Sequence, residues 1–183
     1  MALALTGTGN GSLNNLTLPD ETGTLRSTPS SSKVGFRVVN SSAVVIVNAA
    51  TDYTLTLDTN SGTATNFGTC FDLGANFNTT NYKFTAPVTG YYMLTFCCYF
   101  LSNSDSSRYI RVRAANQNGD WVFYQLNTLS NETGDADYNQ VVYMGVTFLN
   151  ANDTLINYVG SSQGSSQVSV GAGGACFSGW LLG

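Results

Sequence analysis

The segment from Asn81 to Leu101, NYKFTAPVTGYYMLTFCCYFL, constrains the fold more than any other part of the chain. A turn around Pro87 and Gly90 leads into an uncharged run of mostly Tyr, Phe, Thr and Cys, which favour strands over helices. Because side chains alternate along a strand, one face would carry Val88, Tyr92, Leu94, Phe96, Cys98 and Phe100. The other face would carry Tyr91, Met93, Thr95, Cys97 and Tyr99. Both faces are apolar, so we expect a central strand that is covered on both sides.

The sequence contains no amphipathic helical pattern that could cover such a strand. The simplest cover is a second sheet within the domain on one side and another copy of the protein on the other. From Val34 onward, strand-like segments alternate with turn signals, among them the hairpin signal Asn116–Gly119. About ten strands without a helix predict an antiparallel sandwich or barrel over residues 34–183.

Composition limits the functions that such a domain could have. The chain has 183 residues, enough for one domain with a short extension. Only 10% of the residues are charged and the net charge is −4, so binding to nucleic acid through phosphate contacts is not expected. The longest apolar run is shorter than the roughly 20 residues of a membrane helix, so no membrane partner is expected. Residues 1–5 lack the basic region of a secretory signal, which predicts assembly in a cytosol.

The four cysteines are Cys70, Cys97, Cys98 and Cys176. They form no CxxC or Cys/His pattern, and Cys97 and Cys98 should point to opposite faces of one strand, which disfavours a shared metal. The main interpretation is that all four are buried free thiols acting as small apolar side chains. The alternative is a bridge from Cys97 or Cys98 to Cys70 or Cys176 across the sandwich.

Residues 1–33 have the composition of an arm and a linker, because Gly, Asn and Ser dominate them. Four leucines interrupt this polar segment: Leu13, Leu16, Leu18 and Leu25. Such a segment is too polar to fold alone and apolar enough to dock on a neighbouring protein or to be swapped as a strand. A disordered tail is the alternative.

Spaced aromatic residues give the chain a resemblance to a known family. The aromatic residues are Phe77, Phe84, Tyr92 and Phe96; Asp72 precedes them, Gly90 lies among them, and a closing strand follows at Phe177–Leu182. This set resembles the globular head of complement component 1, subcomponent q, and the related tumour necrosis factor fold, over roughly residues 67–182. Leu94 stands where that family usually has Phe. The resemblance implies an all-β, ten-stranded antiparallel jelly-roll sandwich that forms trimers.

The arm resembles, in style, the polar and glycine-punctuated N-terminal segments of tailed-bacteriophage virion proteins. Together, the two resemblances imply a virion-surface structural protein, either a capsid decoration (cement) protein or a head fibre. Its arm leucines would dock on the major capsid protein or another virion protein. The trimer interface is expected to include Tyr91, Met93, Tyr99 and Tyr143. The alternative is a receptor-binding fibre tip that recognises host-surface glycan.

No arrangement of residues predicts catalysis. The absence of His excludes Ser/His and Cys/His nucleophiles, although spacing alone leaves paired catalytic carboxylates open. No glycine-rich phosphate loop precedes a helix, so we expect neither an enzyme nor a cofactor. A calcium ion held by Asp135 and Asp137, or by Asn152 and Asp153, is an alternative to solvated loops.

Two further groups of residues allow a functional interpretation beside a structural one. Arg111 and Arg113 share a face by parity, which predicts either a docking patch for an acidic partner or an edge strand protected by charge. Three aromatic residues close to them could serve a sugar site or belong to the core or an interface: Trp121, Phe123 and Tyr124.

Overall fold

A computed structural model describes residues 34–46, 51–64, 67–102, 109–128, 137–162 and 168–182. The chain divides into two units, Met1–Lys33 and Val34–Gly183, and every described residue belongs to the second. The predicted arm, with Leu13, Leu16, Leu18 and Leu25, therefore lies outside the described residues. All regular elements in the described ranges are strands, and every strand pair is antiparallel. This part of the chain contains no helix that is long and apolar enough to cross a bilayer.

The strands, in chain order, are β1 (Gly35–Asn40), β2 (Val44–Ile46), β3 (Asp52–Thr54), β4 (Leu57–Thr59), β5 (Thr63–Ala64), β6 (Gly68–Thr69), β7 (Phe71–Leu73), β8 (Phe77–Asn78), β9 (Lys83–Thr85), β10 (Gly90–Ser102), β11 (Tyr109–Ala115), β12 (Trp121–Thr128), β13 (Asp137–Leu149), β14 (Thr154–Ser161) and β15 (Val168–Leu181). The described ranges thus hold fifteen strands, and the expected count of ten is not confirmed. The first half of the domain is divided into short pieces, since Gly62, Gly68 and Gly74 take positive φ angles that interrupt regular pairing.

Two sheets build the sandwich. Sheet A has seven strands in the order β13-β10-β15-β1-β4, with β2 beside β15 and β7 beside β1. Sheet B has six strands in the order β12-β11-β14-β9-β8, with β3 beside β14. A separate pair, β5 and β6, completes the described strands. Strand β10 lies between β13 and β15, so the apolar run that follows Pro87 forms an interior strand.

The core lies between the two sheets, and every second side chain of β10 belongs to it. Tyr92, Leu94, Phe96, Cys98 and Phe100 are all fully buried, as the alternation predicts. Val88, expected on the same face, is instead exposed, because it lies in the turn before β10 begins at Gly90. The hydroxyl of Tyr92 reaches back to this turn and donates to the Val88 carbonyl at 2.6 Å, so the turn and strand are tied together.

Aromatic side chains join the sheets across the core. The ring of Phe36 in β1 stacks on that of Phe84 in β9, with centroids 4.5 Å apart, and meets Phe177 of β15 edge to face. Gly179 leaves room for this cluster, since a Cβ there would lie 2.7 Å from a ring carbon of Phe36. A residue without a side chain is therefore required beside the Phe36 ring.

Candidate functional site

The outward side of sheet A carries a concentration of exposed apolar side chains, which we call the apolar face. Its members are Val45, Leu73, Tyr91, Val142, Met144, Val146, Phe148, Trp180 and Leu182, each at least one third exposed. The largest exposures belong to Met144 at 71%, Val146 at 58%, and Tyr91 and Leu182 at 56% each. Soluble monomers rarely present so many large apolar groups on one side of a sheet, and such patches mark interaction surfaces.

Strand register places these side chains in rows across the sheet. Met93 lies between Val146 of β13 and Trp180 of β15, so the three side chains cross the sheet side by side. Tyr91 lies opposite Phe148, and their rings meet edge to face at a centroid distance of 5.2 Å. Residues in adjacent strands thus form a continuous surface rather than isolated apolar points.

Gly35 allows the Trp180 indole to lie close against the sheet. A Cβ on Gly35 would overlap the six-membered ring of Trp180, which also contacts the ring of Phe71 at 5.2 Å. The indole is nevertheless 40% exposed, so one part of it is held by the sheet and another part remains on the apolar face. This packing fixes the side chain in a defined position before any partner binds.

Arg37 is a charged member of the same side of sheet A. Its guanidinium donates from Nη1 to the carbonyl of Phe67 at 3.1 Å and lies 6.0 Å from the Phe71 ring centroid. The charge is therefore engaged within the domain, at the β1 and β7 side of the sheet rather than beside β13.

Three of the four residues predicted for a trimer interface share the outward side of sheet A. Tyr91 is exposed, while Met93 and Tyr99 are half-buried. Tyr143 does not share that side of the sheet, because it lies opposite Phe96 on the core side and its ring stacks on Phe123 at 4.1 Å. The large apolar side chains that β13 presents outward were not among the residues expected from the sequence: Val142, Met144, Val146 and Phe148. Their shared parity in an apolar segment was the signal that could have identified them.

Three thiols also lie on or beside this side of sheet A. Cys97 of β10 is directly opposite Cys176 of β15, and Cys70 packs with Cys176 and Val39. All four cysteines are free, and Cys98 points into the core. Burial raises the pKa of Cys70 and Cys97, and raises that of Cys176 to about 12, so these groups are protonated thiols at neutral pH.

The outward side of sheet B carries a smaller aromatic group. Trp121 and Tyr124 of β12 are both exposed, and their rings stack at 5.1 Å with an interplanar angle of 16°. Arg113 lies over the Trp121 ring at 4.4 Å from its centroid. Phe123, the third residue considered for a sugar site, is buried in the core and does not belong to this group.

Arg111 and Arg113 share one carboxylate. The Arg111 Nε lies 2.9 Å from Oδ1 of Asp52, and Arg113 pairs through Nη2 with Oδ2 of the same residue. Gly160 leaves space for this pairing, since a Cβ there would lie 2.8 Å from the Arg111 Nε. Strand β11 lies between β12 and β14, so the interpretation as a charged edge strand is wrong. The pairing also reduces the positive charge that a docking patch would offer.

The loop considered for calcium is organised by hydrogen bonds of its own. Asp153 accepts from the Asn150 backbone N–H at 2.8 Å and from Gln117 Nε2 at 2.7 Å, and these bonds lower the pKa of its carboxyl group. Asn152 has a φ of 74°, which closes the turn between β13 and β14. Asp135 and the side chain of Asp137 lie outside the described parts. Within those parts, no group of three or more His, Cys, Asp or Glu residues is arranged to hold a metal ion.

Comparison with known proteins identifies the fold. No family model matches the chain, and no curated protein matches its sequence. Among solved structures, Eiger TNF from S. frugiperda superposes with a TM-score of 0.58 at 14% identity, covering 82% of this chain and 93% of that one. The globular domain of zebrafish complement 1qA protein gives a TM-score of 0.52 at 15% identity, covering 82% and 98%. The all-β, antiparallel domain of this chain therefore has the jelly-roll fold of the tumour necrosis factor and complement globular domains.

Proposed function

We propose that this protein is a non-enzymatic structural component of a virus particle, a homotrimer that decorates the capsid and stabilises it. It would assemble in the host cytoplasm and lie on the virion surface, without nucleic-acid or membrane partners. The apolar face of sheet A is the observation that supports self-assembly, because it leaves large apolar side chains in water in a single copy.

The edge of sheet A supports the same proposal. Among the described strands, β13 lies at one end of the order of sheet A, and it is 13 residues long. Its sequence, DYNQVVYMGVTFL, contains neither Pro, Lys nor Arg, which commonly protect an exposed edge. A second copy of the chain is a suitable cover, since it would remove these apolar side chains from water. Covering each of the four outward apolar side chains of β13 would contribute on the order of 1 kcal/mol.

The proposed number of copies is three, the number implied by the resemblance to the complement head and tumour necrosis factor. A ring closes when each copy offers one surface to the next copy and a different surface to the previous one. The apolar face would supply one of these surfaces. A closed trimer then removes the apolar face of every copy from water, and no copy is left with an open edge.

Attachment to the capsid is assigned to residues 1–33. The proposed contacts are Leu13, Leu16, Leu18 and Leu25, which would dock on the major capsid protein or another virion protein. Stabilisation would follow from burial, because an arm that spans neighbouring capsid subunits must be exposed to water again before the shell can open.

Light scattering and capsid binding test these two parts separately. We would compare the full chain with a variant lacking residues 1–33, first for mass in solution and then for binding to emptied capsids and to whole host cells. A trimer in both variants, with capsid binding only in the full chain, is expected. A monomer in both would reject the self-assembly proposal, and capsid binding without the arm would reject the attachment proposal.

A second function, recognition of host-surface glycan at the tip of a fibre, is favoured by the Trp121–Tyr124 stack. Both rings remain exposed on the outward side of sheet B, and Trp and Tyr combine an apolar body with a polar group that a sugar could contact. This alternative predicts that the full chain binds host cells, and that Trp121→Ala removes binding while truncation of residues 1–33 does not. Loss of cell binding on truncation alone would favour the arm-attached protein.

A further inference from the structure

The opposed thiols of Cys97 and Cys176 form a pair that neither the fold nor the proposed function explains. The register between β10 and β15 is regular from Tyr92 to Cys98, so Cys97 and Cys176 are directly opposite within an undisturbed part of the sheet. Alternation places both side chains on the outward side, away from Cys98 and the core. Residues far apart in sequence thus bring two sulfur atoms to opposed positions on neighbouring strands.

The backbone geometry is compatible with a bond between them. Opposed residues of antiparallel strands have Cα atoms about 4.5–5.5 Å apart, inside the 4.4–6.8 Å range of disulfides. Their Cβ atoms are typically about 4.5–5.5 Å apart, whereas a disulfide holds them at roughly 3.8 Å. The two strands must therefore approach by about 1 Å, which makes such a bond strained and readily reduced.

We infer that Cys97 and Cys176 are a thiol–disulfide modification site, in which a small disulfide oxidises the folded chain to a bond between β10 and β15. Cys97 reacts first, because it is half-buried whereas Cys176 is buried. Its Sγ already accepts a hydrogen bond from Gln140 Nε2 at 2.9 Å, so the sulfur is within reach of a polar group at the sheet surface.

The reaction balances in two exchange steps. The Cys97 thiolate attacks one sulfur of the reagent RSSR, which forms a mixed disulfide and releases RS⁻. The Cys176 thiolate then attacks the Cys97 sulfur and displaces a second RS⁻, leaving the bond between the two cysteines. Two cysteine thiols are oxidised, one RSSR is reduced to two RSH, and the thiol protons are taken up by the released thiolates. The bond lies within one chain, so the inference does not depend on self-assembly.

Cys70 is the competing partner, because it packs against Cys176 in the same small cluster. It follows β6 and precedes β7, and its thiol is buried. The two candidate bonds, Cys97–Cys176 and Cys70–Cys176, are distinguished by single substitutions. Cys97→Ser removes only the first bond, and Cys70→Ser removes only the second.

The test uses the reduced full chain incubated with hydroxyethyl disulfide, followed by counting of free thiols, intact mass and mapping of cross-linked peptides. Two of the four thiols are expected to disappear, with a peptide linking Cys97 to Cys176. Cys70→Ser should give the same linked peptide, and Cys97→Ser should keep all its remaining thiols. Four thiols left in the folded wild type, or a linked Cys70–Cys176 peptide that persists in Cys97→Ser, would overturn the inference. Mild dithiothreitol should restore all four thiols.

Discussion

Tyr91 and Phe148 lie directly opposite each other at the edge of sheet A, and their rings meet edge to face at a centroid distance of 5.2 Å. Both rings are half or more exposed, so the contact holds two large apolar groups at the surface rather than in the core. This contact marks one end of the apolar face, which continues along β13 through Val146, Met144 and Val142. An arrangement that is costly for a single copy becomes favourable when a second copy covers it.

Met144→Glu is expected to dissociate the proposed trimer. The substitution would place a carboxylate at the most exposed of these β13 positions, where a covered interface would have to bury it without a partner. The domain should remain folded, since the Met144 side chain lies on the outward side of the sheet and does not contribute to the core. Light scattering should report a fall in mass with an unchanged circular dichroism spectrum. Val88→Glu is the control, because Val88 is exposed in a turn; equal loss of mass in both variants would contradict the proposed location of the interface.

Asp52→Asn is expected to destabilise the domain by roughly 2–3 kcal/mol, since it removes the carboxylate that two partly buried guanidinium groups share. Arg111 and Arg113 would then keep their charges in a site that excludes most water. Urea unfolding should show the change as a lower midpoint with a similar slope. Asp120→Asn serves as the control, because Asp120 is exposed and forms no arginine pair in the described residues; its free energy of unfolding should change by less than about 0.5 kcal/mol.

Asn157→Val is expected to stabilise the domain, by about 1 kcal/mol. Asn157 is fully buried in β14, and its side-chain oxygen and nitrogen have no hydrogen-bond partner among the described residues. An apolar side chain would therefore remove two polar atoms from the core.

Asn40→Val provides the matched comparison and should have the opposite sign. Asn40 is equally buried, but its amide donates to the Ser42 and Gly171 carbonyls and accepts from the Ala175 N–H at 2.7 Å. Its loss leaves those backbone groups unpaired, and a cost of about 2 kcal/mol or more is expected. Thermal and urea unfolding of both variants measure the difference. A decrease in stability in both would show that the Asn157 amide has a partner in solution, such as a buried water.

Alkylation of Cys97 by iodoacetamide should be slow at neutral pH and accelerate into alkaline solution. Burial raises the pKa of this thiol above its ordinary value of 9.0, so the reactive thiolate is a small fraction at pH 7. The rate should rise about tenfold per pH unit while the thiol remains mostly protonated. Peptide mass spectrometry across pH 7–9 measures it. Cys98 is the internal control, since it is fully buried and should not react in the folded chain; a Cys97 rate that levels off below pH 9 would contradict the raised pKa.

Two features followed from the sequence alone: the domain is built of strands, and both sides of β10 are apolar. Alternation is a local property, so the parity of Tyr92, Leu94 and Phe96 could be determined without knowing any neighbour. The spacing of aromatic residues also indicated the jelly roll that the solved structures support. Val88 was expected on the core side of the strand, but the strand begins only at Gly90, and Val88 lies in the turn before it. The beginning of a strand depends on where pairing with its neighbours starts.

The tertiary structure decided which surface is available to a partner. Tyr143 and Met144 are neighbours with similar apolar character, yet Tyr143 packs on Phe123 while Met144 is exposed. The register of β13 against β10 determines which of the two side chains faces the core, since a shift by one residue would exchange the two faces of β13. The interior position of β11, the shared carboxylate of Asp52 and the opposition of Cys97 to Cys176 have the same origin. Each joins residues far apart in sequence, so it depends on pairing between strands that local patterns do not specify.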